Sequence, residues 1–313
     1  MFDRLVNEPP ESKDQLQKTL LQQIQARTGR KTIAYFANFY CLPYSMLTGE
    51  DKIHFVLIFK DIPADTPIDF ILNSPGGYAE ATEMVVQLMR PRYRDVRFII
   101  PHSAKSAATM LALSGNEILM FHHSELGPTD PQIKGAIEGP ALSILEGFEE
   151  IKERVEQEGK LNGAYVPLLM KMDIALLKLC ENSINYGKEI VTTWLKRYML
   201  KDDDDPENKA KKIIEFFNDK RHLTHAKPIF REDAIKQGVK IKNIEDIDQE
   251  FADMILEYYT RFEFIFSDNR SISKIYHSET QYMVKRAQVP IPLLLGPVPP
   301  SPPQKPPTKP PGP

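Results

Sequence analysis

The chain lacks the means for a disulfide framework, a metal cluster or a membrane span. It holds only two cysteines, Cys41 and Cys180, in 313 residues. Neither stands at metal-ligand or redox spacing, so both read as small buried apolar residues in a reducing, intracellular setting. An excess of one charge is also missing. Its 40 Lys+Arg and 43 Asp+Glu leave a formal net charge of −3, which gives no electrostatic basis for binding nucleic acid. No run approaches the ~20 apolar residues needed to cross a bilayer. The longest, Phe55 to Phe59, has the length of a strand, and Met1 to Pro10 is polar rather than leader-like. The expectation is a soluble, cytoplasmic protein.

Several chemistries are absent as motifs. There is no HExxH around His122-His123, so zinc is not expected. There is no GxxxxGK[ST] loop, so the chain carries no ATPase of its own, and no pyridoxal-phosphate lysine motif. The run Asp202-Asp203-Asp204-Asp205 lacks the alternation and closing Glu of a calcium loop and reads as solvated. No cofactor is implied.

What is present is concentrated between Ile68 and Gln132. Ile68 to Leu72 is a short β-branched run ending in Asn73-Ser74-Pro75-Gly76-Gly77. The two glycines can expose backbone N–H groups with no side chain in the way. Tyr78 to Met89 follows as a helix with Ala81, Val85, Leu88 and Met89 on one face. A second strand, Val96 to Ile100, leads into a small-residue turn through Ser106 and a helix over Thr109 to Leu113. Glu117 to Met120 is a third strand. A serine at a tight strand-to-helix turn, beside a Gly-Gly turn from the neighbouring strand, is a nucleophile facing an anion-binding backbone.

These residues carry a resemblance. NSPGG after a strand, followed by AKSAATMLAL, resembles the Clp protease proteolytic subunit, signal peptide peptidase A and the crotonase-like superfamily. Leu126-Gly127-Pro128-Thr129-Asp130-Pro131-Gln132 is similar to the LGPxDPQ segment of the serine dehydrogenase proteinase family. Thr224-His225-Ala226-Lys227-Pro228-Ile229, with a helix over Glu232 to Gly238, matches that family's late THxxPI segment. The resemblance covers roughly residues 50 to 245. It implies an α/β fold of repeated β-β-α units with a largely parallel sheet and a helical C-terminal extension. It also implies a serine peptidase that forms an acyl-enzyme on Ser106 and acts on peptides or unfolded protein as a homo-oligomer. The backbone N–H groups of Gly76, Gly77 and Ala107 would hold the oxyanion. The alternative is a crotonase-like acyl-CoA enzyme or a scaffold without proteolysis.

The base departs from the Clp pattern, in which a histidine comes one βα step after the nucleophile and an aspartate after the long helix. Here the first region holds Asp130 and the second His222 and His225. His225 as base with Asp130 as its orienter would make a triad in a different chain order, which convergent triads permit. His222 is the neighbouring alternative. A serine–lysine dyad is the rival, with Lys152, Lys160, Lys171 and Lys178 all available. Lys105, adjacent to the serine, should point elsewhere, toward substrate or a subunit contact.

Around this centre the organisation reads as an N-terminal helical and aromatic extension (1–50), a peptidase domain (51–245), a C-terminal helical extension (246–288) and a Pro-rich tail (289–313). Ser12 to Gln25 forms a helix whose Leu16, Leu20, Leu21 and Ile24 make a packing or self-association stripe. Lys31 to Tyr44 reads as strand or packed loop, and His54 to Phe59 as a strand. Ala141 to Glu158 and Asn208 to Asn218 are helices. Val166 to Leu200 reads as one long helix that Gly187 interrupts. Ile244 to Phe264 is helical, and Ser267 to Lys285 is helix or strand. The tail holds close to half of the chain's 26 prolines, too many to form a core. Its apolar start, Ile291 to Leu295, is a segment that would suit a partner.

Overall fold

In the computed structural model, which describes residues 10–287 apart from 136, 220, 221 and 223, Pro10–Thr28 (α1) leads into strand Lys31–Ala37 (β1). Helix Lys52–Lys60 (α2) follows, then Ile68–Asn73 (β2), Ala79–Met89 (α3) and Val96–Ile100 (β3). Ser103–Ala104 (β4), Ala107–Leu113 (α4) and Glu117–Met120 (β5) complete the repeated units. Three short pieces, Glu125–Leu126 (β6), Gln132–Ile133 (β7) and Gly139–Pro140 (β8), then lead to the helices Ala141–Glu158 (α5), Val166–Leu169 (α6), Ile174–Trp194 (α7) and Pro206–Phe217 (α8). The chain closes through Ile229–Phe230 (β9), Arg231–Gln237 (α9), Ile241–Asn243 (β10), Ile244–Ile247 (α10), Gln249–Asp268 (α11), Ile272–His277 (β11) and Tyr282–Arg286 (β12).

The main sheet has seven strands in the order β10-β5-β3-β2-β1-β11-β12. From β10 to β1 every pairing is parallel, whereas β11 and β12 run antiparallel. Alternation along the strands divides the core. Ile33, Tyr35, Phe70, Leu72, Phe98 and Ile118 face one layer of helices, while Ala34, Phe36, Ile71, Ile99 and Leu119 face the other. Both faces are covered, as a parallel sheet requires. The charged exception in β2 is buried Asp69, whose carboxylate is gripped by Arg30 at 2.7 Å and Arg97 at 2.8 Å.

Several elements differ from the sequence reading. His54 to Phe59 is helix, not strand. Phe55, Ile58, Phe59 and Ile62 are buried at i, i+3, i+4, i+7 spacing, and Asp51 accepts the Thr48 N–H at 2.8 Å just before the helix. A continuous apolar run leaves period 2 and period 3.6 indistinguishable, and here the helix wins. The long helix breaks before Asp173, whose carboxylate caps α7 by accepting the Leu176 N–H at 2.6 Å. Gly187 lies within α7 and does not interrupt it.

The α1 stripe is spent inside the molecule. Leu20, Leu21 and Ile24 pack with Phe251, Ile255 and Phe262 of α11. Self-association through that stripe is therefore corrected. Residues 246–288 are not wholly helical either, because β11 and β12 form a hairpin that widens the main sheet beside β1. The Pro-rich tail lies outside the described residues. Among the described residues no helix is long and apolar enough to cross a membrane.

Candidate active site

Ser106 occupies the step between β4 and α4 with φ 51° and ψ −121°. Asp65 is the other non-glycine residue at positive φ among those described. Such a backbone costs of order 1–3 kcal/mol and persists only where the surroundings impose it. The restraints are visible on both flanks. Ser74 N–H donates to Ser103 O at 2.9 Å and Lys105 N–H to Ser74 O at 3.0 Å, tying the end of β2 to β4. Past the turn, Met110 N–H donates to Ser106 O at 3.1 Å. Thr82 Oγ1 of α3 donates to Ala107 O, also at 3.1 Å. The Ser106 side chain is half-buried and makes no capping bond to its helix, so the hydroxyl remains available.

The Gly-Gly turn presses against this step. A Cβ on Gly76 (φ 98°) would stand 2.5 Å from Lys105 O and 2.9 Å from Ser106 Cβ. One on Gly77 would stand 2.2 Å from Leu47 O. Only glycine allows both approaches. The expected trio of oxyanion donors needs correcting at one member. Gly76 N–H donates to Ser74 Oγ at 3.1 Å and is engaged. Leu47 bridges across Gly77 by donating to Gly76 O at 2.8 Å and accepting from Tyr78 N–H at 3.0 Å. That pattern turns Gly77's own N–H to the opposite edge. Ala107, as the first residue of its helix, has no intrahelical acceptor for its N–H.

Asp130 and His225 are brought together across 95 positions of sequence, His225 Nδ1 standing 2.8 Å from Asp130 Oδ1. The other carboxylate oxygen accepts Gln132 Nε2 at 2.7 Å. With Nδ1–H donated to the carboxylate, Nε2 is left as the ring's free lone pair. Both side chains are partly exposed, at 28% for His225 and 17% for Asp130. Each loop is anchored. Thr109 Oγ1 of α4 contacts Ala104 O at 2.7 Å and accepts Gly127 N–H at 3.0 Å. Thr129 N–H donates to Phe217 O at 2.9 Å, and Asn218 Nδ2 donates to Thr129 Oγ1 at 3.0 Å. Among the described residues, no hydrogen bond joins Ser106 to His225 or His222.

Residues 17–264 match the ClpP-like SDH-type serine proteinases. The chain belongs to that family. Family membership brings a serine-hydrolase type of mechanism and a ClpP/crotonase-like fold, in keeping with the mixed sheet and its C-terminal helices. Two uncharacterized proteins of Methanocaldococcus jannaschii are similar. One is 33% identical over 144 residues, covering 44% of this chain and 48% of the relative. The other is 31% identical over 198 residues, covering 63% and 61%. The chain thus spans about half to three-fifths of the length of these relatives. Among solved structures, a membrane-bound stomatin-specific protease with a substrate peptide is 20% identical. It covers 64% of this chain and 73% of its own, at a TM-score of 0.39.

The other candidates for the base fare differently. His222 is buried, with Nε2 donating to Phe216 O at 2.6 Å at the end of α8 and Nδ1 buried without a partner among the described residues. Lys152, Lys160, Lys171 and Lys178 are all exposed. Lys152 and Lys178 pair with Glu149 and Glu181 one turn away. An exposed, paired ammonium lacks the burial that makes a lysine a base. Lys105 lies over Gly127 and pairs with Glu125 at 2.7 Å, so it braces the loop that leads to Asp130. No group of three His, Cys, Asp or Glu among the described residues is arranged to hold a metal.

Sequence reasoning missed the supports: Leu47, Ser74, Thr109, Thr129 and Asn218. Thr109 left a signal, being the one hydroxyl residue in an otherwise apolar helix, Ala107–Leu113. Leu47 left none, because its role is carried by its backbone.

Proposed function

We propose that this protein is an ATP-independent serine peptidase that cleaves peptide bonds through an acyl-enzyme on Ser106. The observation that supports this reading is the 2.8 Å contact between His225 Nδ1 and Asp130 Oδ1, which fixes the tautomer a general base needs. In the first step Ser106 Oγ adds to the scissile carbonyl carbon and His225 Nε2 takes its proton. The carbonyl oxygen becomes an oxyanion held by Gly77 N–H and Ala107 N–H. Collapse breaks the C–N bond, and the leaving amine takes the proton from His225. Water then gives its proton to His225 and attacks the ester carbon. The carboxylic acid departs, and Ser106 Oγ recovers the proton.

Labelling with a fluorophosphonate, with the modified peptide mapped, tests this reading. The adduct is expected on Ser106 and absent from Ser106→Ala; undiminished labelling of that variant overturns it. A homo-oligomer remains part of the proposal. Its support moves from α1 to the exposed Leu161, Val166, Leu168, Met170 and Ile174. A monomer at micromolar concentration with full activity, by light scattering, would remove it.

A further inference from the structure

The Gly76-Gly77 turn is held on one side by the nucleophile strand and on the other by Leu47, whose two backbone bonds straddle Gly77. What holds Leu47 lies far away in sequence. The next residue, Thr48, donates its N–H to Asp51 Oδ2 at 2.8 Å, and Asp51 N–H returns to Thr48 O at 3.1 Å. Asp51 is fully buried. Lys274 Nζ lies 2.6 Å from its Oδ2, and Tyr276 O–H donates to its Oδ1 at 2.8 Å. Lys285 Nζ also reaches Oδ1, at 3.1 Å. The last three donors belong to β11 and β12, the hairpin that widens the sheet. Lys274 is 1% exposed.

A buried ion pair is a poor way to gain stability, because desolvation offsets the attraction and a well-packed apolar pair does as well or better. Its advantage is direction. Four donors within 3.1 Å fix both carboxylate oxygens, and one of those donors is the backbone next to Leu47.

We propose that Asp51, fixed by Lys274 and Tyr276, is a positioning residue for the oxyanion turn: the C-terminal hairpin sets, through Thr48 and Leu47, where Gly77 N–H points. This rests on the reading of Gly77 N–H as an oxyanion donor. The hairpin is thereby part of the catalytic geometry rather than an appendage to the sheet.

The test compares the 313-residue wild type with Asp51→Leu/Lys274→Met, which removes the acceptor for Thr48 N–H without leaving a charge buried alone. Fluorophosphonate labelling per folded molecule is expected to fall about 10- to 100-fold. Affinity for a peptide aldehyde, whose adduct fills the oxyanion position, should fall by a similar factor. Affinity for the matching peptide amide should stay within about twofold, since the amide places no oxyanion there. An unchanged labelling rate, or equal losses for aldehyde and amide, overturns the proposal. Should the double variant fail to fold, Tyr276→Phe removes a single hydroxyl. Hydrogen exchange at Tyr78 N–H, which reports the bridge to Leu47 directly, is then expected to quicken; unchanged protection overturns the proposal. Failure of the serine reading shows separately, as labelling that survives Ser106→Ala.

Discussion

Ser106, Gly76 and Gly77 are set by backbone, through a positive φ, β-bridges to Ser74 and Leu47, and approaches too close for any Cβ. Asp130 and His225 are set mainly by side chains, through their own hydrogen bond, Thr129 with Asn218, and Gln132. The half proposed to hold the nucleophile grows from the sheet's own βα succession. The half proposed to hold the base depends on two loops meeting from opposite ends of the helical region. A backbone-built half tolerates change in its side chains but no change in shape. A side-chain-built half can be retuned residue by residue, and it can also be lost residue by residue.

The largest effect expected is at Ser106, where the two properties of the backbone half separate. Ser106→Ala should reduce hydrolysis to background. Ser106→Gly should do the same while raising stability by roughly 0.5–1 kcal/mol, because glycine accepts φ 51° without strain. Denaturant melts alongside activity assays check this, and a destabilised glycine variant would mean that the turn is not strained. Next comes the base half. His225→Ala should slow turnover by about 100- to 10,000-fold, and Asp130→Asn somewhat less, with melting temperatures little changed for both partly exposed groups.

A smaller loss tests whether the loops need their anchors. Thr129→Val removes one of the two acceptors of Asn218 Nδ2, the other being Ile214 O at 3.0 Å; it should cost roughly 0.5–1.5 kcal/mol and should slow turnover by about tenfold. Equal turnover in wild type and variant would show that the Asp130–His225 hydrogen bond and the backbone bond from Thr129 to Phe217 position the loop without it.

His277 gives a contrast to the partly exposed His225, through stability rather than rate. Burial, with a contribution from Lys18, lowers its pKa to about 4, and Tyr258 O–H lies 2.6 Å from Nδ1, matching a neutral ring. The unfolded chain takes up this proton below about 6.5 and the folded one only near 4. The contribution is therefore fully present above pH 6.5 and is lost as pH falls toward 4, on the order of 3 kcal/mol in all. Urea titrations at pH 7 and pH 4.5 measure the difference, and His277→Phe should flatten it.

The same division explains what could be read from the sequence. NSPGG, Ser106 and the short β-branched strands are legible because local steric needs write themselves into local residue types. Asp130 and His225 were legible only through the LGPTDPQ and THAKPI segments, since nothing local announces a partner 95 residues away. The helix at Lys52–Lys60 reads as a strand in the sequence because a continuous apolar run carries no period. The hairpin at Ile272–Arg286 stayed ambiguous because its strand character comes from pairing with β1, a tertiary fact. Asp51 gave no sign at all, being one acidic residue among many until Lys274 and Tyr276 fold onto it.

The most direct measurement is the rate of fluorophosphonate labelling, with the adduct mapped, in wild type, His225→Ala, and each of Lys152→Met, Lys160→Met, Lys171→Met and Lys178→Met. The adduct should lie on Ser106, His225→Ala should label about 100- to 10,000-fold more slowly, and all four lysine variants should match wild type. A His225→Ala protein that labels at the wild-type rate while one lysine variant falls silent would contradict the account.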